Sequence, residues 1–226
     1  MYPPEPWHLR GQMYLSIFLI PVRSLPPLPE VLGAAVRPLS FGGRAAVGAA
    51  WVNYEPGGVL HYRELLSAVL VHERGRPRVS ITDIWVDSVA SMEGGRRLWG
   101  IPKELADLRV DTDGDLVDAS ASVPGGGAAI GSSLLRLKRR LPGRLPLGFT
   151  VAQALGGQVK RTPVRGRSGW RTLTAAWRPD PEGPLAYLAG RRPVLSLAIT
   201  DFWLTFGRAA TSPRVRFGGQ ENAADR

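Results

Sequence analysis

Turn-forming residues interrupt this chain too often for it to fold into long helices. Glycine occurs 27 times and proline 20 times in 226 residues. An interior glycine costs a helix about 1 kcal/mol and a proline about 3 kcal/mol relative to alanine. The chain therefore reads as many short elements joined by turns. Leu15–Val22 (LSIFLIPV) and Ala45–Tyr54 (AAVGAAWVNY) have strand length and composition, and Val79–Asp87 (VSITDIWVD) alternates clearly. Tyr62–Glu73 fits either a helical stripe through Leu65, Leu66, Val69 and Leu70 or a buried strand. Its neighbour Val79–Asp87, across a loop at Arg74–Arg78, favours the strand. Asp113-Gly114 marks a two-residue turn between Leu108–Thr112 and Leu116–Val123. Ser133–Leu137, Thr150–Leu155, Gln158–Thr162, Arg171–Trp177 and Val194–Phe206 complete the predicted strands. Short helices are predicted at Pro29–Val36 and at Ser88–Trp99, the second capped by Ser88 with Arg96 and Arg97 in its last turn. The pair Gly94-Gly95 predicts that this helix is short or broken. The fold class is mainly β (α+β): an antiparallel, barrel-like sheet around a central cavity, with a few short helices.

Composition narrows the function. Hydrophobic residues make up 44% and charged residues 21%, a balance that supports a packed core. There is no cysteine, which excludes disulfides, thiolate metal sites and a Cys nucleophile. His8, His61 and His72 form no metal-ligand spacing, so no metal or other cofactor is expected. The longest early apolar run, Tyr14–Val22, is too short to span a bilayer, and no signal-peptide pattern precedes it. A cytoplasmic location is the expectation. The net charge of +10 raises the question of nucleic acid, but the arginines carry no recognition motif, and a solvated basic surface explains them. From Pro213 the chain is polar and unpatterned, so a single domain over residues 1–212 and a flexible tail over 213–226 are predicted.

One lysine stands out. Of 29 basic residues only Lys103, Lys138 and Lys160 are lysines. Lys103 follows Trp99-Gly100-Ile101-Pro102, an apolar run with a Gly-x-Pro bend. Arginine keeps its proton in proteins, whereas a buried lysine can supply a neutral amine that adds to a ketone. The expectation is that burial lowers the pKa of Lys103. Glu64, in Tyr62-Arg63-Glu64 ahead of an apolar run, is a candidate proton shuttle. Arg10 is a candidate clamp for a substrate carboxylate. Trp51, Tyr54, Trp85, Trp99 and Trp203 are core or cavity wall.

The segment Gly95-Arg96-Arg97-Leu98-Trp99-Gly100-Ile101-Pro102-Lys103 resembles the Gly-Arg-Glu-x-x-x-x-Pro-Lys segment of the acetoacetate decarboxylase family, and Tyr62-Arg63-Glu64 resembles its Tyr-x-Glu. The looser resemblance runs from Trp7 to Arg208. It implies a β-cone around the lysine, usually in a homo-oligomer, with Lys103 as the Schiff-base residue and Glu64 lining the site. Three positions depart from the family pattern. Glu104 stands where characterised decarboxylases have a second lysine, Arg97 where glutamate is frequent, and Ala49 near a second active-site glutamate. The family's carboxylate-binding arginine corresponds to Arg10, or to Gln12 when aligned on Tyr14. The resemblance thus implies a lyase on a small keto acid or ketone, decarboxylating a β-keto acid through Lys103 and Glu64. Arg10, Gln12, Trp51, Tyr54 and Trp99 are the candidate substrate contacts. The alternatives are aldol, dehydration or cyclisation chemistry on the same lysine, or a non-catalytic module binding a small molecule.

Overall fold

Thirteen strands and two short helices form from the segments between turns in a computed structural model that describes residues 1–209. The predicted tail over 213–226 lies outside the described residues. In chain order the elements are β1 (Trp7–Pro21), α1 (Glu30–Ala35), β2 (Arg37–Pro38), β3 (Ser40–Phe41), β4 (Arg44–Tyr54) and β5 (Tyr62–Glu73). There follow β6 (Arg76–Val86), α2 (Val89–Trp99), β7 (Lys103–Leu105), β8 (Asp107–Asp113) and β9 (Leu116–Ser122). The last are β10 (Ala129–Arg140), β11 (Leu145–Leu155), β12 (Gln158–Pro179) and β13 (Leu195–Phe206). Single 3-10 turns lie at Val22–Ser24 and Ala186–Leu188. No helix among the described residues is long and apolar enough to cross a membrane.

The strands form one sheet that wraps round on itself. The hydrogen-bonded order β6, β5, β4, β1, β13, β12 is closed by β11, which pairs with both β6 and β12, giving a ring of seven strands. β10, β9 and β8 extend the sheet from the far half of β12. β12 serves both parts: Gln158–Ser168 pairs with β11, and Arg171–Pro179 with β10. Neighbours are antiparallel except where β6 meets β7 and where Val79 of β6 meets Val151 of β11. The mainly β architecture agrees with the sequence reading, and these parallel contacts are its exceptions.

Alternation along the strands buries two clusters. On β5, Tyr62, Glu64 and Ala68 face one way and Leu65, Val69 and Val71 the other. One cluster takes residues from all seven ring strands and from α2, including Trp7, Tyr54, Tyr62, Trp99, Val151 and Phe202. The other joins β1, β4 and β5 to α1 and the β8–β10 extension through Phe18, Trp51, Leu65, Leu32, Val117 and Leu135. Each fully buried large side chain adds about 1.5–3 kcal/mol to the stability of the folded state.

Several boundaries differ from the sequence reading, most of all that β1 begins at Trp7, eight residues before the predicted Leu15. Gln158–Thr162 and Arg171–Trp177 belong to the single strand β12. Pro163, Gly166 and Gly169 resemble breaks, but Gly166 lets β12 and β13 approach closely at Leu204, and a register shift between Arg167 and Gly169 absorbs the irregularity. The β8–β9 turn is Gly114-Asp115, one residue later than predicted, because Asp113 pairs with Leu116. Helix α2 is short, as its Gly94-Gly95 pair predicts, at 11 residues, and it runs through both glycines without a break. Its glycines are points of close packing, since a Cβ on Gly94 would come within 2.5 Å of the Trp7 ring and one on Gly95 within 2.7 Å of Lys103 Cδ.

Candidate active site

Helix α2 and strand β7 bring Lys103 into the ring cluster. The Ser88 hydroxyl accepts the Ser91 amide at 3.2 Å and starts the helix. Gly100 ends it in the left-handed region at φ 67°, with its N–H bonded to the carbonyl of Arg96. Ile101 and Pro102 then turn the chain into β7, where Lys103 pairs with Ile84 of β6. Arg96 Nε donates to the Lys103 carbonyl at 2.6 Å, fixing that backbone to the helix. In this extended segment Lys103 is buried at 4% exposure while Glu104 is exposed, so the two side chains leave opposite faces. Glu104 is thus turned away from the amine.

The Lys103 ammonium donates three hydrogen bonds: to Glu64 Oε2 at 2.7 Å, to Ser91 Oγ at 2.9 Å and to Tyr62 Oη at 3.2 Å. Tyr54 Oη donates to Glu64 Oε1 at 3.4 Å. The remaining walls are apolar, with Trp7, Leu9, Ile84, Trp99, Ile101 and Phe206 among them. The cavity is tight, about 30 Å³. A lysine has three donors, and here each has an acceptor.

This geometry corrects the expected ionisation of Lys103. Burial is the largest single influence and pushes its pKa down, but the Glu64 carboxylate and Tyr62 together outweigh it, and the net shift is upward. Burial also raises both Tyr62 and Tyr54, with Glu64 adding to the effect, so both phenols stay protonated.

Of the candidate site residues, Lys103, Glu64, Tyr54 and Trp99 meet at this cavity. Trp51 does not: it faces the other cluster, stacks on Trp177 at 5.9 Å and donates to Ser133 Oγ at 2.9 Å. Alternation on β4 sends Trp51 and Tyr54 to opposite faces. Ala49 lies on the Trp51 side as well. Arg10 and Gln12 also lie elsewhere. Arg10 approaches Glu55 at 3.9 Å and lies 5.7 Å from the Trp203 ring. Gln12 Nε2 donates to Glu55 at 3.2 Å and to Asp201 at 3.1 Å. Two contacts of the amine had no role in the sequence reading. Tyr62 stands two residues before Glu64 on a strand, which places both on one face and was a readable signal. Ser91 carried none, because helix α2 and β7 bring it to Lys103 only through the turn between them. Among the described residues no group of three or more His, Asp or Glu side chains is arranged to hold a metal ion.

The family model for acetoacetate decarboxylase (ADC) matches residues 29–140, a span that contains Glu64, Ser91 and Lys103. No curated protein matches the chain. Among solved structures, acetoacetate decarboxylase from Legionella pneumophila subsp. pneumophila str. Philadelphia 1 is 16% identical, with TM-score 0.65 over 91% of this chain and 85% of that one. The enduracididine biosynthesis enzyme MppR, complexed with pyruvate, is 20% identical, with TM-score 0.64 over 92% and 91%. An acetoacetate decarboxylase-like enzyme from Sphingomonas wittichii RW1 is 16% identical, with TM-score 0.54 over 91% and 92%. At these identities the likeness is one of fold, and with the family match and the lysine segment it leads to one conclusion: the chain belongs to the acetoacetate decarboxylase family, as a divergent member.

Proposed function

We propose that this chain is a Schiff-base-forming enzyme acting on a small keto acid or ketone, and that it decarboxylates a β-keto acid. The observation that carries this reading is the buried amine of Lys103, hydrogen-bonded to Glu64, Tyr62 and Ser91 in an otherwise apolar cavity. In the resting pair the proton sits on the lysine. Transfer to Glu64 across 2.7 Å supplies the neutral amine without a change in the net charge of the pair. The amine adds to the carbonyl carbon to form a carbinolamine. Glu64 then protonates the departing hydroxyl, water leaves, and a protonated imine remains. The bond from the α-carbon to the carboxylate breaks, its electron pair moves into the iminium, and carbon dioxide and an enamine form. Protonation at the α-carbon and hydrolysis release the ketone and restore the amine. The apolar walls suit the decarboxylation step, which disperses the charge of a carboxylate. No cofactor is required, because the iminium is itself the electron sink.

A second reading uses the same enamine to attack an aldehyde. Structural neighbours favour it: MppR is described both with pyruvate and with the condensation product of pyruvate and imidazole 4-carboxaldehyde. Borohydride reduction of the protein with a panel of β-keto acids and ketones, followed by peptide mass spectrometry, tests the lysine chemistry. The expected result is an adduct at Lys103 that disappears in Lys103→Ala. No adduct with any keto substrate, together with full turnover by Lys103→Ala, would overturn it. Carbon dioxide release from the trapped substrates separates decarboxylation from condensation.

A further inference from the structure

The space at the amine is smaller than any substrate the chemistry requires. About 30 Å³ is room for about two waters. A surface cleft of about 390 Å³ adjoins it, within the ~300–1,000 Å³ common for small-molecule sites. Tyr54 and Tyr62 line both spaces. Their rings pack 4.4 Å apart at 30°, and both residues are nearly buried. The two phenols therefore partition the amine from the cleft.

The cleft differs in chemistry from the cavity. Its wall beyond the tyrosines is polar, with Asn53, Glu55, His61, Arg63 and Asp87. One cation faces two carboxylates there. Arg63 is already committed, since Asp87 accepts its Nη1 at 3.2 Å and its backbone N–H at 2.7 Å. Glu55 accepts Gln12 at 3.2 Å, and Arg10 comes no nearer than 3.9 Å. A carboxylate offers about four acceptor positions, so both Glu55 and Asp87 keep capacity for further donors. Among the described residues that line the cleft, no arginine is left uncommitted to balance an anionic group beside those carboxylates, and Arg10, outside the lining, is the nearest further cation at 3.9 Å from Glu55.

We infer that this cleft is the outer half of the binding site and holds the tail of the carbonyl substrate, a neutral or cationic tail carrying hydrogen-bond donors. The inference rests on the reading of Lys103 as the imine-forming residue. The reactive carbonyl reaches the amine when the contacting rings of Tyr54 and Tyr62 part, and the tail stays with Glu55 and Asp87. Ketones too short to reach past the tyrosines gain nothing from the cleft.

Reductive trapping of the full chain tests this with ketones of equal length ending in hydroxyl, ammonium or carboxylate, beside acetone as the short control. The concentration giving half-maximal adduct at Lys103 is read by mass spectrometry. The hydroxyl and ammonium termini are expected to trap at concentrations lower by about tenfold or more than the carboxylate, the worth of one charge-assisted hydrogen bond. In Glu55→Gln the preference for ammonium over carboxylate is expected to shrink by about threefold or more, as one of two carboxylates is neutralised. Because the wild-type preference is the primary reading, a poorly folded variant does not remove the test. Equal trapping of all termini, or a preference for carboxylate, overturns the inference while adducts with acetone leave the lysine chemistry standing. No adduct with any ketone defeats both.

Discussion

Strand β5 carries a buried carboxylate near each end, and the two are held in opposite ways. Glu64 meets one lysine, in a cavity where both side chains are 4% exposed. Glu73, next to the β5–β6 turn, meets two arginines. Arg161 donates through Nε to both carboxylate oxygens at 2.9 Å and through Nη2 to Oε1, and Arg78 Nε donates at 3.3 Å. Arginine keeps its proton at any pH the protein experiences, so the Glu73 cluster is a fixed clamp. Lysine can release its proton to the partner that holds it, so the Glu64 pair is an exchanger. The same residue type on one strand becomes structural or chemical according to its cation.

Glu73 and Lys103 also respond to pH in opposite directions. Hydrogen bonds from Arg161 hold the Glu73 carboxyl below its usual range despite its burial. Its folded pKa is depressed, so its stabilisation is complete above the ordinary glutamate value of 4.5 and is lost as pH falls through the lower folded value. Lys103 is raised, so its contribution is complete below the ordinary 10.5 and is lost as pH climbs through the higher folded value. Acid loosens the Glu73 clamp, and alkali discharges Lys103.

The strongest way to break this contrast is Glu64→Gln. It leaves Lys103 buried without its countercharge, at an expected cost of about 3–5 kcal/mol in denaturant unfolding. Burial then dominates, and the lysine pKa is expected to drop below its ordinary value, measured by NMR of ¹³C-labelled lysine. A Lys103 that still titrated at or above that value would contradict the pairing described. Gly95→Ala acts on the exchanger alone. Its new methyl would meet Lys103 Cδ at 2.7 Å and Cε at 2.9 Å. Crowding costs about 1–3 kcal/mol, offset by about 1 kcal/mol of helix propensity. A displaced amine is expected to slow borohydride trapping by about a hundredfold. Trapping at the wild-type rate would show that the lysine tolerates the methyl. Glu73→Gln sharpens the contrast with the smallest effect. Arg161 is half exposed, so solvent screening limits the loss to about 1 kcal/mol. The acid limb of the stability profile should flatten and trapping should not change. A fall in trapping would mean the two ends of β5 are coupled.

Much of this arrangement was legible in the residues. Tyr62–Glu73 as a strand, Ser88 as a cap and Lys103 behind its bend all carry local signals, and the structure places them so. The direction of the lysine's shift was not legible, because it depends on Glu64 lying 2.7 Å away, a contact between β5 and β7. Burial alone predicts the opposite sign. Arg10 was read as a clamp from its guanidinium and Gln12 from alignment with the family's arginine, and the β1 side chains turn instead toward Glu55 and Asp201. The continuity of β12 was hidden by Pro163 and Gly169, whose local preferences yield to pairing on both edges. Trp51 was separable from Tyr54 by strand alternation alone.

Strand β7 has three residues, in parallel register with Ile84, Trp85 and Val86. Such a strand has a parity. Moving it by one position would bring Glu104 into the cavity and carry Lys103 out to water, while every hydrogen bond to β6 could still form. The count of residues from the end of α2 through Gly100, Ile101 and Pro102 is therefore as much a part of the reactive group as the amine itself. Substitution at position 104 leaves that count intact. A single deletion in the linker reverses the sign of the charge that meets Glu64, and a single insertion puts the uncharged Pro102 there.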